Sequence, residues 1–196
     1  MKRLLLAACG LVLVGAAVAA EWSTATDTGP SYTTDGKLKY PMNYREWVFL
    51  SSGVDMSYSQ RAGEAMGHSM FDNVFADPAA YREFMRTGTW PDGTQLLLEV
   101  RGASEKGSIN QHGKFQTDEV MGTEVHVKDV KRFQGQGGWA FFNFRDTGPG
   151  RMIPTTEDCY SCHQQHAAVD TTFVQFYPTL LKIATLKGTL SPGYKP

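Results

Sequence analysis

The chain has 196 residues, with 19 Lys and Arg against 20 Asp and Glu, for a formal net charge of −1. That length suits one domain with a sizeable core. A balanced charge without long basic runs speaks against nucleic acid or an anionic membrane surface as a partner. After the leader, no apolar stretch approaches the roughly 20 residues needed to cross a bilayer, so no membrane is expected for the mature form.

In chain order, Lys2 and Arg3 open a short positive region, and Leu4 to Val18 is apolar with small residues. Ala17-Val18-Ala19-Ala20 then offers a cleavage site before Glu21. Residues 1–20 therefore read as a signal peptide, cleaved near Ala19-Ala20, and the mature protein is expected in the periplasm. Leu6-Ala7-Ala8-Cys9 has the form of a lipoprotein box, but almost no apolar run precedes Cys9, which argues against lipidation. Residues 21–44 are polar and form an N-terminal arm or leader, and residues 45–196 form the domain.

Trp47 to Leu50 is a short strand candidate, and Gly53 to Gly67 has no clear pattern. A helix is well punctuated: Asp77 caps it, Pro78 takes the first helical position, Ala79 to Arg86 fill it and Gly88 stops it. Tyr81, Phe84 and Met85 share its inward face. After the Pro91-Asp92-Gly93 turn, Gln95 to Arg101 reads as a strand, Lys106 to Gly113 as a loop, Thr123 to Lys128 as an alternating strand, and Trp139 to Phe144 as an aromatic strand. The polar side chains of Glu124, His126 and Lys128 share one face, read as solvated. Phe173, Phe176, Tyr177, Leu180 and Leu181 follow a helical period with Asp170 or Thr171 near the cap, and Pro178 predicts a kink or break. Together these give an α+β fold: four or five antiparallel strands with a few helices.

Chemistry concentrates at Cys159-Tyr160-Ser161-Cys162-His163. Two close cysteines in an exported protein suggest a disulfide first, but the adjoining histidine makes the pattern that of c-type haem attachment. Each thiol can add to one haem vinyl group, and the imidazole of His163 is then the proximal iron ligand. A zinc site lacks a second ligand pair at the usual spacing, and a redox dithiol lacks its βαβ setting. Only 33 residues follow His163, and none is Met, so a His/Met electron carrier of the common layout is disfavoured. The eight methionines read as core or surface, and His68, His112, His126 and His166 are possible second ligands that read more simply as ordinary histidines. An open axial position is expected, with a small molecule binding at iron. The strands argue against a four-helix-bundle cytochrome.

The sequence resembles the cytochrome P460 and cytochrome c′-β family. The matching pieces are Asn43 to Val48, Asp77-Pro78 with Tyr81, Thr87-Gly88, Asp92 to Thr94, Glu124 to Asp129 with Lys131 to Phe133, Trp139 to Phe142, the haem motif, and Phe173 to Pro178. The resemblance implies a mostly antiparallel β fold, a single haem c, five-coordinate iron and a homodimer. One branch oxidises hydroxylamine and joins a lysine to the haem edge; the matching position here is Leu98, directly before Glu99. Lys106, in the Gly-rich loop, is a poor substitute. That branch can also place a carboxylate in the loop before the haem motif, where Thr147 to Arg151 contains no acid. Both departures favour the c′-β branch, which binds nitric oxide or carbon monoxide in an apolar distal pocket. Leu98 with Leu96 and Val100, capped by Phe71 or Phe75, is the expected pocket surface, and Arg45 the expected partner of a haem propionate. A hydroxylamine or nitric oxide oxidoreductase and a periplasmic electron carrier are the alternatives.

Overall fold

The structure is a computed structural model, and it describes residues 29–56 and 69–195. The expected signal peptide, the start of the arm and His68 lie outside the described residues. Six strands form one antiparallel sheet in chain order: β1 (Val48–Val54), β2 (Met70–Ala76), β3 (Gln95–Ser104), β4 (Phe115–Lys128), β5 (Trp139–Phe144) and β6 (Arg151–Met152). Three helices join them: α1 (Pro78–Thr87), α2 (Asp158–His166) and α3 (Pro178–Lys187). The α+β reading holds, with β2 as the strand that lacks a sequence period.

Helix α1 forms where its punctuation places it. The Asp77 carboxylate accepts from the Ala80 amide at 2.8 Å, Pro78 needs no donor there, and Gly88 closes the helix at φ +80° with its amide on the Phe84 carbonyl. Pro178 marks the expected break in the helical run rather than a kink. It starts α3, because a residue without an amide proton costs nothing in a first turn, and a separate 3₁₀ turn, Val174–Phe176, precedes it.

Strand alternation sorts the sheet into two faces. On one, Leu97, Val125, Val127, Ala140 and Phe142 pack against Leu38, Tyr44, Trp47 and Phe133. On the other, Ala76, Leu96 and Trp139 pack against Phe84, Leu180 and Ala184 of α1 and α3, with Trp90 and Val169 from the connections. Burying each of the large side chains contributes on the order of 2 kcal/mol. Residues 29–44 are held to the sheet by Leu38, fully buried and exchanging two backbone hydrogen bonds with Gly150. Helix α2 stands over the second face.

Candidate functional site

Helix α2 carries Cys159, Cys162 and His163. Spacings of three and four place all three on one side of the helix. Both thiols are free and half-buried. Burial pushes the Cys159 thiol up, and the charge of Glu124 adds to the effect.

The ring of His163 is wedged among aromatics, with centroids at 4.0 Å from Phe173, 4.6 Å from Phe141 and 5.2 Å from His126. Its Nδ1–H donates to the Thr171 carbonyl at 2.6 Å. That bond fixes the tautomer and leaves the Nε2 lone pair for a metal. Burial lowers the imidazole to about 4, so it is neutral, as a ligand must be, at ordinary pH.

His163 stands between two cavities. The larger, about 460 Å³, is lined by Thr171, Gln136, Gln164 and Tyr160. The smaller, about 260 Å³, is not lined by Thr171, whose carbonyl already takes Nδ1. This second cavity has an apolar floor of Leu96 and Leu98 from the central strand β3. His163, His126 and Phe141 form one flank, over β4 and β5. The opposite flank is Ser51, Gly53, Met56, Asp72 and Val74, on β1, β2 and the turn after β1. Those strands lie beyond β3, so the flanks are separated by two strand spacings, roughly 10 Å.

Several expectations about this region change. His126 is not on a solvated face: it is 7 % exposed, stacks on Phe141 at 3.9 Å and 9°, and burial lowers its pKa well below the usual range. The polar face of β4 turns towards α2 rather than towards water. His126 and Glu124 accordingly line the cavity. The cavity is therefore not wholly apolar, since Glu124 and Asp72 both reach it. Burial pushes both carboxyls up, and the charge of Asp55 adds to that at Asp72. Met56 had no predicted role, yet its thioether lies directly over Gly53, where a Cβ would collide with the sulfur.

Leu98 lines this cavity. Phe71 and Arg45 do not join it. Phe71 alternates with Asp72 and Val74 on β2 and pairs with Arg101, so it belongs to the other face, as does Phe75, which packs on Tyr44. The guanidinium of Arg45 is held on that far face by Glu99, a buried carboxylate that needs a cation. Lys106, His112 and His166 are exposed and do not line the cavity. Among the described residues, no cluster of three or more His, Cys, Asp or Glu is arranged to hold a metal ion unaided. The donor set suits a haem instead: one neutral imidazole with Nε2 free, two thiols on the same helix face, and an apolar-floored cavity with a glycine in its wall.

Residues 41–174 match the family model described as Cytochrome P460. No curated protein matches the chain significantly.

Proposed function

The chain belongs to the cytochrome P460 family, which implies a haem cofactor, and on that premise we propose an exported c-type cytochrome that binds nitric oxide or a similar small gas. In this reading one haem c is attached through Cys159 and Cys162 and ligated by His163. Such a group would supply an iron able to take a small neutral ligand such as nitric oxide or carbon monoxide. The observation that carries the reading is the pairing of His163, its Nδ1 committed to Thr171, with a cavity floored by Leu98.

The residues divide the work. Thr171 orients His163 and raises its basicity through the Nδ1 bond. Phe141 and Phe173 exclude water from the imidazole. Leu96, Leu98 and Val74 line the cavity with hydrocarbon, which admits an uncharged diatomic without demanding a hydrogen bond from it. Leu98 has no nucleophilic nitrogen, so the haem–lysine link of the hydroxylamine-oxidising branch cannot form there. This favours the c′-β branch. The signal-like leader supports a periplasmic location, and a homodimer is proposed with it.

Reduced protein mixed with nitric oxide at micromolar concentration is expected to give a stable spectrum of the gas complex; no binding at that concentration overturns the reading. Leu98→Lys is expected to create a third covalent attachment to the haem in a measurable fraction of molecules, seen by peptide mapping, with a red-shifted absorption. Unchanged two-point attachment in a fully loaded Leu98→Lys protein would remove Leu98 from the haem edge.

Asp72 and Glu124 favour a second reading, a hydroxylamine oxidoreductase, because they bring candidate proton acceptors to the cavity. Met56 favours an electron carrier with a sulfur sixth ligand. One reduced-minus-oxidised absorption spectrum separates the three: high-spin for the gas binder, red-shifted for the cross-linked catalyst, low-spin for the carrier.

A further inference from the structure

The Thr171 carbonyl that accepts from His163 belongs to a tight turn, and that turn is held from β4. Val169 and Thr172 close it by pairing with one another. Asp170, at its corner, has φ +52°, a left-handed conformation that costs a non-glycine residue on the order of 1 kcal/mol and needs outside support.

The support is specific. Lys128 Nζ donates to Asp170 Oδ2 at 3.0 Å and to the Trp90 carbonyl at 2.8 Å. Trp90 Nε1 donates to Thr172 Oγ1 at 2.8 Å, and that hydroxyl donates to the Val169 carbonyl at 2.7 Å. Two residues up β4 from Lys128, His126 Nε2 lies 3.3 Å from Thr171 Oγ1. The His126 ring is fixed by its stack on Phe141 and stands edge-on to His163 at 74°. An apolar side chain would fill that buried place without the desolvation cost of an imidazole. His126 therefore has a polar duty, and Thr171 is its hydrogen-bond partner.

We propose that His126 and Lys128 are positioning residues for the axial ligand: they hold the Val169–Thr172 turn so that the Thr171 carbonyl keeps its short bond to His163 Nδ1. This would set how strongly His163 holds iron, and so how readily a bound gas displaces it. The inference rests on the haem reading above and adds the device that tunes it. A firm acceptor at Nδ1 makes the imidazole a stronger donor to iron. A slack acceptor weakens the iron–histidine bond and destabilises the ferric state.

Thr171→Val removes the hydroxyl and keeps the carbonyl, and Thr171→Ser restores the hydroxyl. His126→Phe keeps the stack on Phe141 and loses the nitrogen. In haem-loaded protein, Thr171→Val and His126→Phe are each expected to lower the iron–histidine stretching frequency, read by resonance Raman on the reduced form, and to raise the reduction potential. Release of His163 from the nitric oxide complex should speed up roughly tenfold, the lower end of the usual effect of removing an outer-shell partner. Thr171→Ser should return all three readouts to wild type, and Lys128→Met should move them in the direction of Thr171→Val. Should Thr171→Val fail to fold, His126→Phe carries the test with the turn's own sequence intact. An unchanged frequency and potential in folded variants, with only a lower melting temperature, overturns the proposal and leaves the haem reading standing. Wild-type reduced protein with no iron–histidine mode overturns both.

Discussion

Glu99→Ala is expected to lower the stability of the folded protein by about 3–5 kcal/mol, the usual cost of breaking a buried charge network from one side. Glu99 is 1 % exposed, yet ionised. It accepts from the Tyr44 hydroxyl at 2.6 Å and from Arg101 Nε at 2.7 Å, and it pairs with Arg45. Burial pushes its carboxyl up, but hydrogen bonds from Arg101, Arg45 and Tyr44 outweigh burial and leave it at about 2, against 4.5 when unperturbed. A carboxyl lowered by folding contributes stability above its unfolded value and loses it as pH falls through the folded one. The stabilisation is thus complete above about pH 4.5 and fades towards pH 2, and Glu99→Ala should show no such fade. Arg45→Ala is a contrasting case: its side chain is 50 % exposed, so its loss should cost about 1 kcal/mol or less. Urea unfolding of the two variants at neutral pH and at pH 3 measures both effects. A Glu99→Ala protein within 1 kcal/mol of wild type at neutral pH would show that the network is not what fixes Tyr44 to the sheet.

The same network shows why Arg45 was legible as a functional cation only in part. Its partner is 54 positions away in sequence, and no local pattern announces a pairing of that range. By contrast, the Cys159-to-His163 pattern is legible because the proposed haem attachment needs three residues close together. Strand β2 hides for a different reason. Asp72 faces the cavity and Asn73 bonds Gln116 at 2.7 Å on the other face, so polar residues serve both sides and the period of two disappears. In β4 the period is plain and its interpretation inverts. Alternation reports that two faces differ, not which of them meets water, and the polar face of this strand meets α2 and the turn after it. Thr171 leaves no sequence signal, because it acts on His163 through a carbonyl that every residue owns. Met56 is similar: nothing in the sequence ties a lone thioether to Gly53, and only the fold of the chain after β1 brings them together.

Replacing both Cys159 and Cys162 with alanine is expected to abolish covalent haem completely, leaving a polypeptide that releases all of its haem on denaturation. In forming each link, a thiol adds across a vinyl double bond, so that a sulfur–carbon bond forms and the proton ends on the neighbouring carbon. Each single variant should keep one link in reduced yield. Haem staining of a denaturing gel, with an intact mass beside it, reads the three outcomes directly. Haem retained by the double variant after denaturation would mean attachment through another side chain and would overturn the assignment of these two cysteines. His163 separates from them in a second step. His163→Gly should leave both thioethers in place while removing the iron–histidine bond, because attachment needs the thiols and ligation needs the imidazole. The wedge between Phe141 and Phe173 is then an imidazole-sized space beside the Thr171 carbonyl. Added imidazole is expected to occupy it and restore the axial-ligand spectrum, and failure of rescue in a fully attached His163→Gly protein would place the axial ligand elsewhere.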